Sequence, residues 1–585
     1  MSDDDIEMNE DKRYRVKFDD LPVELGSGTK YDFEDDIGGV PHKNTLHHAI
    51  KNKDALNDFL QKGLLKDKST VEFKPGDSLI FGKGKTFYMM GGVTNGDTAL
   101  NAVTFVFDGT IKFTERFTAK LYWPRKPPKD GDGCCNGCCE CCLHFQHCFF
   151  WSNLTNVLFT STTRPKLVPP SDRISSPCCG GCCGGSSCCD GCCGGSAPEP
   201  AVIATEDDGD LKMPNASLHF DGNGNGGIID GSGGFWYGYL RYVWRQENRP
   251  MLFRFDNCEN MKVENIEFKN SPYWTFVGNT VEKLEISFCR VYCRRKSLCW
   301  NPHSMYELGA FNTDGFEIIG KSSYVYGHDL EVWNQDDCVV MKSGHDMTFE
   351  RIRASGMGLT IGSIGANAQH TDVTVKNIIF YDCHMEETSK GIYIKFRDID
   401  PDYATTVKVC NVLYKKITMK KPGCAIWIGG AQQSDSVCFW QGHPVSLLWP
   451  ACACCSCIKC NPGLGKFENI SLEDITIDSP DTDSTEGIGV VMGSTVNPMT
   501  NVKFTNVRVT NFDQKKKDQC FYYTGTDTNG ISLTRSSPGD ITFMNCEALG
   551  STWPVPNGFV NHAIGSDPGD ANEARALEIE SVESC

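Results

Sequence analysis

NMKVENIEF (residues 260–268), VEKLEISF (281–288), SSYVYGHDLEV (322–332), HDMTFERI (345–352), HTDVTVKNIIF (370–380), CNVLYKKITM (410–419), FENISLEDITI (467–477), MTNVKFTNVRV (499–509) and GDITFMNC (539–546) are variations on one short phrase. Aligned on Val263, Leu284, Val325, Met347, Val373, Val412, Ile470, Val502 and Ile541, they step by 21, 41, 22, 26, 39, 58, 32 and 39 residues. A unit of roughly 20–26 residues explains the short steps, and the longer ones need a second coil or a loop insertion. Each unit alternates β-branched residues and carries an Asn or Asp at the turn; none has the apolar period of a helix. Such a unit cannot bury its own apolar face, so neighbours must stack. Few hairpin-type dipeptides separate the strands, which argues against a sandwich. The expected fold is all-β, a single-stranded right-handed parallel β-helix with coils about 4.8 Å apart in register.

Outward from this core, residues 1–30 read as an acidic, disordered tail and 31–585 as one β-helix domain. His47–Leu60 has a short helical pattern, followed by short alternating strands in STVEFKPGDSLIFGKGKTFYMMGGV and ALNAVTFVFDGTIKF. Two Cys/Gly-rich loop insertions interrupt the repeat, at 128–205 and 431–466. They hold CCNGCCECC, PCCGGCCGGSSCCDGCCGG and ACACCSCIKC, and thereby most of the 32 cysteines. Adjacent Cys-Cys pairs in Gly/Ser low complexity fit a tolerated surface insertion or soft-metal binding, and match no standard zinc spacing.

The 585 residues carry 75 acids against 57 bases, a net charge of −18, which disfavours a nucleic-acid partner. No run of about 18 apolar residues provides a transmembrane helix, and no apolar signal segment follows the acidic N-terminus. The sequons at Asn153, Asn215 and Asn469 are near the number expected by chance.

Stacking gives residues one coil apart a common surface. Asp314, in Asn312-Thr313-Asp314-Gly315, precedes Asp336 by 22 positions, so the two should emerge on one face of adjacent coils. Asp336 and Asp337 are adjacent and can share a cleft only where the strand bends. Turn aspartates that cap coils are the structural alternative for any one of these residues. Three clustered carboxylates cannot all ionise freely, which supplies a general acid beside a general base.

The chain resembles glycoside hydrolase family 28, the polygalacturonases and rhamnogalacturonan hydrolases of the pectin-lyase-like superfamily. The resemblance runs from Asp221 to Asn411 through Ile229-Asp230-Gly231-Ser232-Gly233, Trp236, Arg249-Pro250 and Asn270-Ser271-Pro272-Tyr273-Trp274. It continues through Asn312-Thr313-Asp314, Asp336-Asp337, Gly356-Met357-Gly358 and Tyr393-Ile394-Lys395. It implies an inverting hydrolase of a pectin-like polysaccharide. Asp336 would protonate the departing oxygen, and Asp314 and Asp337 would activate water, with acid and base about 6.5–9.5 Å apart. Asn312, Met357, Tyr393 and Lys395 would face substrate, Lys395 binding a sugar carboxylate or hydroxyl. No cofactor, metal or membrane is expected, and the chain should act as a monomer. The family acts outside the cell, so location is left open by the missing signal.

Three departures stand out. The resemblance places a His where Met357 stands, an Arg at Tyr393, and at Arg353 a cysteine that would bridge Cys338. A thioether cannot donate a strong hydrogen bond, and tyrosine lacks the fork that grips a carboxylate. Both changes point toward the rhamnogalacturonan-type branch. They also support a non-catalytic carbohydrate-binding or structural β-helix as the alternative function. A polysaccharide lyase on the same fold is a third possibility. Arg290, Arg294, Arg295 and Lys296 read as a solvated coil edge.

Overall fold

A strand with alternating apolar residues must find a second layer to cover them, and in this chain the layer is the next turn of the same chain. The computed structural model describes residues 26–114, 123, 146–165, 227–237, 249–293, 310, 312–364, 373–396, 407–430, 465–480 and 499–511. For 6–8, 14–16, 489–491, 521–522, 539–544, 546–549 and 559–562 it describes the strand backbone. Successive coils pair in parallel, rung upon rung, into a right-handed parallel β-helix, the hand that parallel crossovers take.

Three strand columns run the length of the helix. One is exemplified by Phe316↔Val339↔Leu359↔Ile392↔Ile426. A second stacks Leu284, Val325, Met347, Ile378, Val412, Ile470 and Val502. The third stacks Val291, Val332, Ala354, Met385, Met419, Ile477 and Val509. Apart from Ala354 at 4% and Val412 at 2%, these side chains are at most 1% exposed. Each large aliphatic one contributes about 1.5–3 kcal/mol by leaving water.

This register revises the alignment read from sequence at two places. Leu284 lies opposite Met261, while Val263 lies opposite Ile286. Met347 lies opposite Ile378, while Val373 pairs with Val407. Apolar character alone does not fix the register, because Val263 and Met261 are both core residues and Val373, though partly buried, packs against the core that holds Ile378. The long steps also resolve: Leu284↔Val325 and Val412↔Ile470 are direct neighbours, so no second coil stands between them.

The corners between columns are left-handed. One corner runs through Asn156, Asn260, Lys283, Tyr324, Asp346, Asn377, Asn411, Asn469 and Asn501, with φ between 51° and 57°. Asn tolerates this region because its short amide bonds locally. The amides also bond to one another. Asn501 Nδ2 donates to Asn469 Oδ1 (2.8 Å), Asn469 to Asn411 (3.1 Å), Asn411 to Asn377 (3.1 Å) and Asn377 to Asp346 (2.7 Å). A separate ladder joins Asn260 to Asn156 (2.6 Å) and Asn156 to Asn101 (2.9 Å). Lys283 and Tyr324 occupy the corner between the two ladders.

The N-terminal end of the stack is covered. A helix, Leu46–Lys62, starts at the N-cap Thr45, whose hydroxyl accepts from His48 N–H, and stops at Gly63, with φ of 64°. It is the helix expected from the His47–Leu60 pattern. Its Leu56, Phe59 and Leu60 are buried beside Tyr31 and Phe73. Covering the terminal rung shields strand edges that would otherwise invite pairing.

Two boundaries shift. Residues 149–152 and 154–160, inside the span read as an insertion, are core strands paired with Phe253–Glu264. The 128–205 insertion is therefore not continuous. Within the 1–30 tail, Ile6–Met8 and Tyr14–Val16 pair antiparallel rather than being disordered. The cysteine-rich clusters, Asn215 and Arg294–Lys296 lie outside the described residues. Among the described residues no helix is long and apolar enough to cross a membrane.

The amide ladder should be measurable in stability. Asn469→Ala is expected to cost about 3 kcal/mol: roughly 1 kcal/mol for each lost amide bond and about 1 kcal/mol for holding Cβ in the left-handed region. Asn469→Gly should cost about 1 kcal/mol less. Equal denaturation midpoints for the two variants would remove the backbone part of this account.

Candidate active site

The third column ends at Trp333 and the first resumes at Val339. The residues between them, Asn334–Cys338, form the bend that adjacent aspartates require. Asn334 fixes the bend from inside, its amide donating to Thr313 O (2.9 Å) and Asp337 O (2.8 Å). A Cβ on Gly356 would lie 2.0 Å from Asn334 Oδ1, so only glycine lets the next coil close over it.

Asp314 reaches the same place from the coil before. Gly315 N–H donates to Asp337 O (2.9 Å) and Phe316 pairs with Val339. Asp314 is thus level with Asp337, and it is Asp336 that steps out of line. The 22-residue spacing suggested the reverse, because the coil here takes 23 residues. All three aspartates converge, with one oxygen of each within 4.8 Å of the others. They are buried rather than standing in an open groove, at 3%, 8% and 2% exposure for Asp314, Asp336 and Asp337. Their nearest oxygens are also closer than the ~6.5–9.5 Å between carboxyl groups that leaves room for an inverting water.

Each carboxylate has a different environment. Asp336 accepts from Asn312 N–H (3.0 Å) and Asp337 N–H (2.9 Å). Burial and the neighbouring Asp337 nevertheless push it up to about 6, against the pull of Lys395. Asp337 accepts from Thr360 Oγ1 (2.8 Å) and from Lys395 Nζ at 3.0 and 3.2 Å, an arrangement suited to a carboxylate. Asp314 is raised well above the usual carboxylate range by burial and by Asp336, with Lys342 opposing. Its Oδ1 is buried and makes no hydrogen bond among the described residues. Close carboxylates cannot all ionise freely, and Asp314 and Asp336 are the two whose surroundings favour a proton.

Lys342, Glu317 and Thr360 are site residues that sequence reasoning missed. Lys342 Nζ lies 2.6 Å from Glu317 Oε1 and 3.7 Å from Asp314 Oδ2, and 3.8 Å from the centre of the Trp274 ring. Glu317 is fully buried, and burial pushes it up to about 7 against Lys342. The available signal was a charge at an outward position of an otherwise apolar strand, in Phe316–Ile319 and just after Val339–Met341. Lys395 is neither solvated nor free: it is 6% exposed and holds Asp337. Tyr393 lies beneath it, with Lys395 Nζ 4.1 Å from the ring centre. Met357 is 6% exposed and its N–H donates to Asp336 O (2.8 Å). Asn312, at φ 54°, contributes its backbone N–H to Asp336.

Other motif residues are scaffolding. Asp230 accepts from Ser232 N–H (2.8 Å) and Asn270 Nδ2 (3.3 Å), and Trp236 packs edge-on to Trp123. Cys338 is a buried thiol, with Sγ 3.4 Å from Asn334 Oδ1. Arg290 is not at a solvated edge: it is 7% exposed between Glu267 (3.5 Å) and Glu331 (3.8 Å).

Comparison with known proteins agrees with this geometry. Residues 208–442 match the model of Glycosyl hydrolases family 28. Endopolygalacturonase I of Aspergillus aculeatus is 32% identical over 217 residues, 36% of this chain and 49% of that protein. Probable endopolygalacturonase E of Aspergillus niger is 30% identical over 204 residues, 33% of this chain and 47% of that protein. The chain spans about half the length of the curated relatives it matches. The crystal structure of endo-xylogalacturonan hydrolase from Aspergillus tubingensis aligns over 90% of this chain and 98% of that one, at 17% identity and a TM-score of 0.45. The Yersinia enterocolitica family 28 exopolygalacturonase aligns over 91% and 77%, at 12% identity and a TM-score of 0.49. The carboxylate trio falls inside the segment that is similar to glycosyl hydrolases family 28.

Proposed function

We propose that this chain, acting as a monomer, hydrolyses glycosidic bonds of a pectin-like polysaccharide, of galacturonan or rhamnogalacturonan type, with inversion. The observation that carries the reading is the convergence of Asp314, Asp336 and Asp337 from two coils within 4.8 Å, held between Lys342 and Lys395. Asp336, which keeps its proton to about pH 6, is the acid that protonates the departing oxygen. Asp337, steadied by Lys395 and Thr360, takes the proton of the attacking water, and Asp314 shares in holding that water. Inversion is general to the family. With oxygens this close it requires the side chains to part as the water enters.

The substitutions Met357 and Tyr393 favour a second reading, a β-helix that binds polysaccharide without turnover. Incubation with a panel of pectic polysaccharides separates the two. New reducing ends support the hydrolase; binding without product supports the module; unsaturated product would mean a lyase.

Asp336→Asn should lower kcat by about 10²–10⁴-fold while leaving polysaccharide binding in place, as measured by reducing-end release and a pull-down on the same polymer. Unchanged turnover would remove Asp336 from the acid role. Because the acid must carry its proton, activity should fall roughly tenfold per pH unit above about pH 6. Lys395→Met removes a cation that favours the ionised form of Asp336, so the alkaline limb of kcat/KM should move to higher pH. The first product, followed by NMR during hydrolysis, should have the anomeric configuration opposite to the bond cleaved. Retention would rule out the single-displacement scheme.

A further inference from the structure

Two cations beside the carboxylate trio are already committed. Lys395 is held by Asp337 at 3.0 Å, and Lys342 by Glu317 at 2.6 Å. A third is not. Lys390 opens the strand Lys390–Phe396 and is 1% exposed. Among the described residues no carboxylate, carbonyl or hydroxyl pairs with its ammonium. Its contacts are aromatic: Nζ lies 4.9 Å from the centre of the Trp427 ring and 5.4 Å from that of Tyr393. Ring faces only partly replace water around a cation, and a buried charge without a counter-ion is costly.

The register shows where this cation stands. Leu359 pairs with Ile392, so Met357 and Lys390, each two residues earlier, occupy equivalent places on adjacent coils. Val339 pairs with Leu359 and Phe316 with Val339, which sets Asp337 and Asp314 in the same row. Asp314, Asp337, Met357 and Lys390 therefore follow one another in one row, Lys390 about two 4.8 Å steps beyond Asp337. Tyr393, two residues on from the paired Gly391 and Ala425, sits between Lys390 and Lys395 and is within cation–ring distance of both. Burial depresses the Lys390 ammonium to about 8, which still leaves it charged in the acidic range where Asp336 keeps its proton. The groups facing it are Tyr393 and Lys395 of its own strand, Cys424 and Trp427 of the next coil, and Asp337 of an earlier one.

We propose that Lys390 is a specificity-determining residue that pairs with the carboxylate of a uronate unit next to the cleavage point, in the aromatic frame of Tyr393 and Trp427. Met357 puts no ionisable group in the row, and Lys390 supplies from the next coil the positive charge that this position does not. A neutral sugar, or a uronate whose carboxyl is esterified, would leave the buried ammonium unpaired and so be disfavoured. This assignment rests on the pectin-like reading for the polymer and not on turnover.

The test measures binding of an oligogalacturonate and of its fully methyl-esterified counterpart by calorimetry, in the Asp336→Asn background so that neither is consumed. The chain should bind the free acid about 10- to 100-fold more tightly than the ester at low salt. Lys390→Met should collapse that ratio toward one, and Lys390→Arg, which keeps the charge, should preserve most of it. A chain with Lys390 intact that binds acid and ester equally overturns the proposal without any variant of that lysine having to fold. So does a folded Lys390→Met protein with the ratio undiminished. A chain that prefers the acid through Lys390 but releases no reducing ends when Asp336 is intact fails as a hydrolase and not in this assignment.

Discussion

Backbone register between neighbouring coils is the constraint on which the rest of the molecule depends. A parallel rung fixes which residue stands beside which at a spacing of about 4.8 Å. Any side chain that points outward then becomes a neighbour of residues a whole coil away in sequence, 23 positions from Phe316 to Val339 and 20 from Val339 to Leu359. The same bonds that stack Val291, Val332 and Ala354 into a core column bring Asp314 level with Asp337. Fold and site are set by one pairing scheme, and no separate element assembles the carboxylates.

That scheme also settles the electrostatics. Packing three carboxylates into one buried row would be prohibitive without compensation. The compensation arrives by register too: Lys395 from two coils on and Lys342 from the strand that follows the bend. Asp336 alone is served by backbone N–H groups, from Asn312 and Asp337. Asp337 has a full cation among its partners instead. Three like residues thereby stand in three different surroundings, set by what each one touches.

Much of this was legible in the sequence. The alternating repeat gave the parallel β-helix, and the Asn312-Thr313-Asp314 and Asp336-Asp337 blocks gave the carboxylate trio. What was not legible has a physical cause. Val263 and Val373 were misaligned because every inward position of a coil is apolar, so composition cannot tell one core residue from its neighbour two or five places away. Residues 149–160 were lost in the cysteine-rich stretch because Phe149–Ser152 and Leu154–Thr160 are too short to stand out from low-complexity flanks. Lys342, Glu317 and Lys390 look like ordinary surface charges until register shows which way they point. Lys395 and Arg290 are buried ion-pair members for the same reason.

The amide ladder at the first left-handed corner is interrupted at Lys283 and Tyr324, and Tyr324 belongs to the coil that begins with Asp314. In a stack whose rungs contact only their neighbours, stability is a sum of local terms, and cooperativity is only as long-ranged as the weakest junction. Each run of linked amides, Asn101 to Asn260 and Asp346 to Asn501, ties its own coils together at this corner. Asp314 lies on the coil between the two runs, and the trio forms where that coil meets the one that carries Asp336 and Asp337.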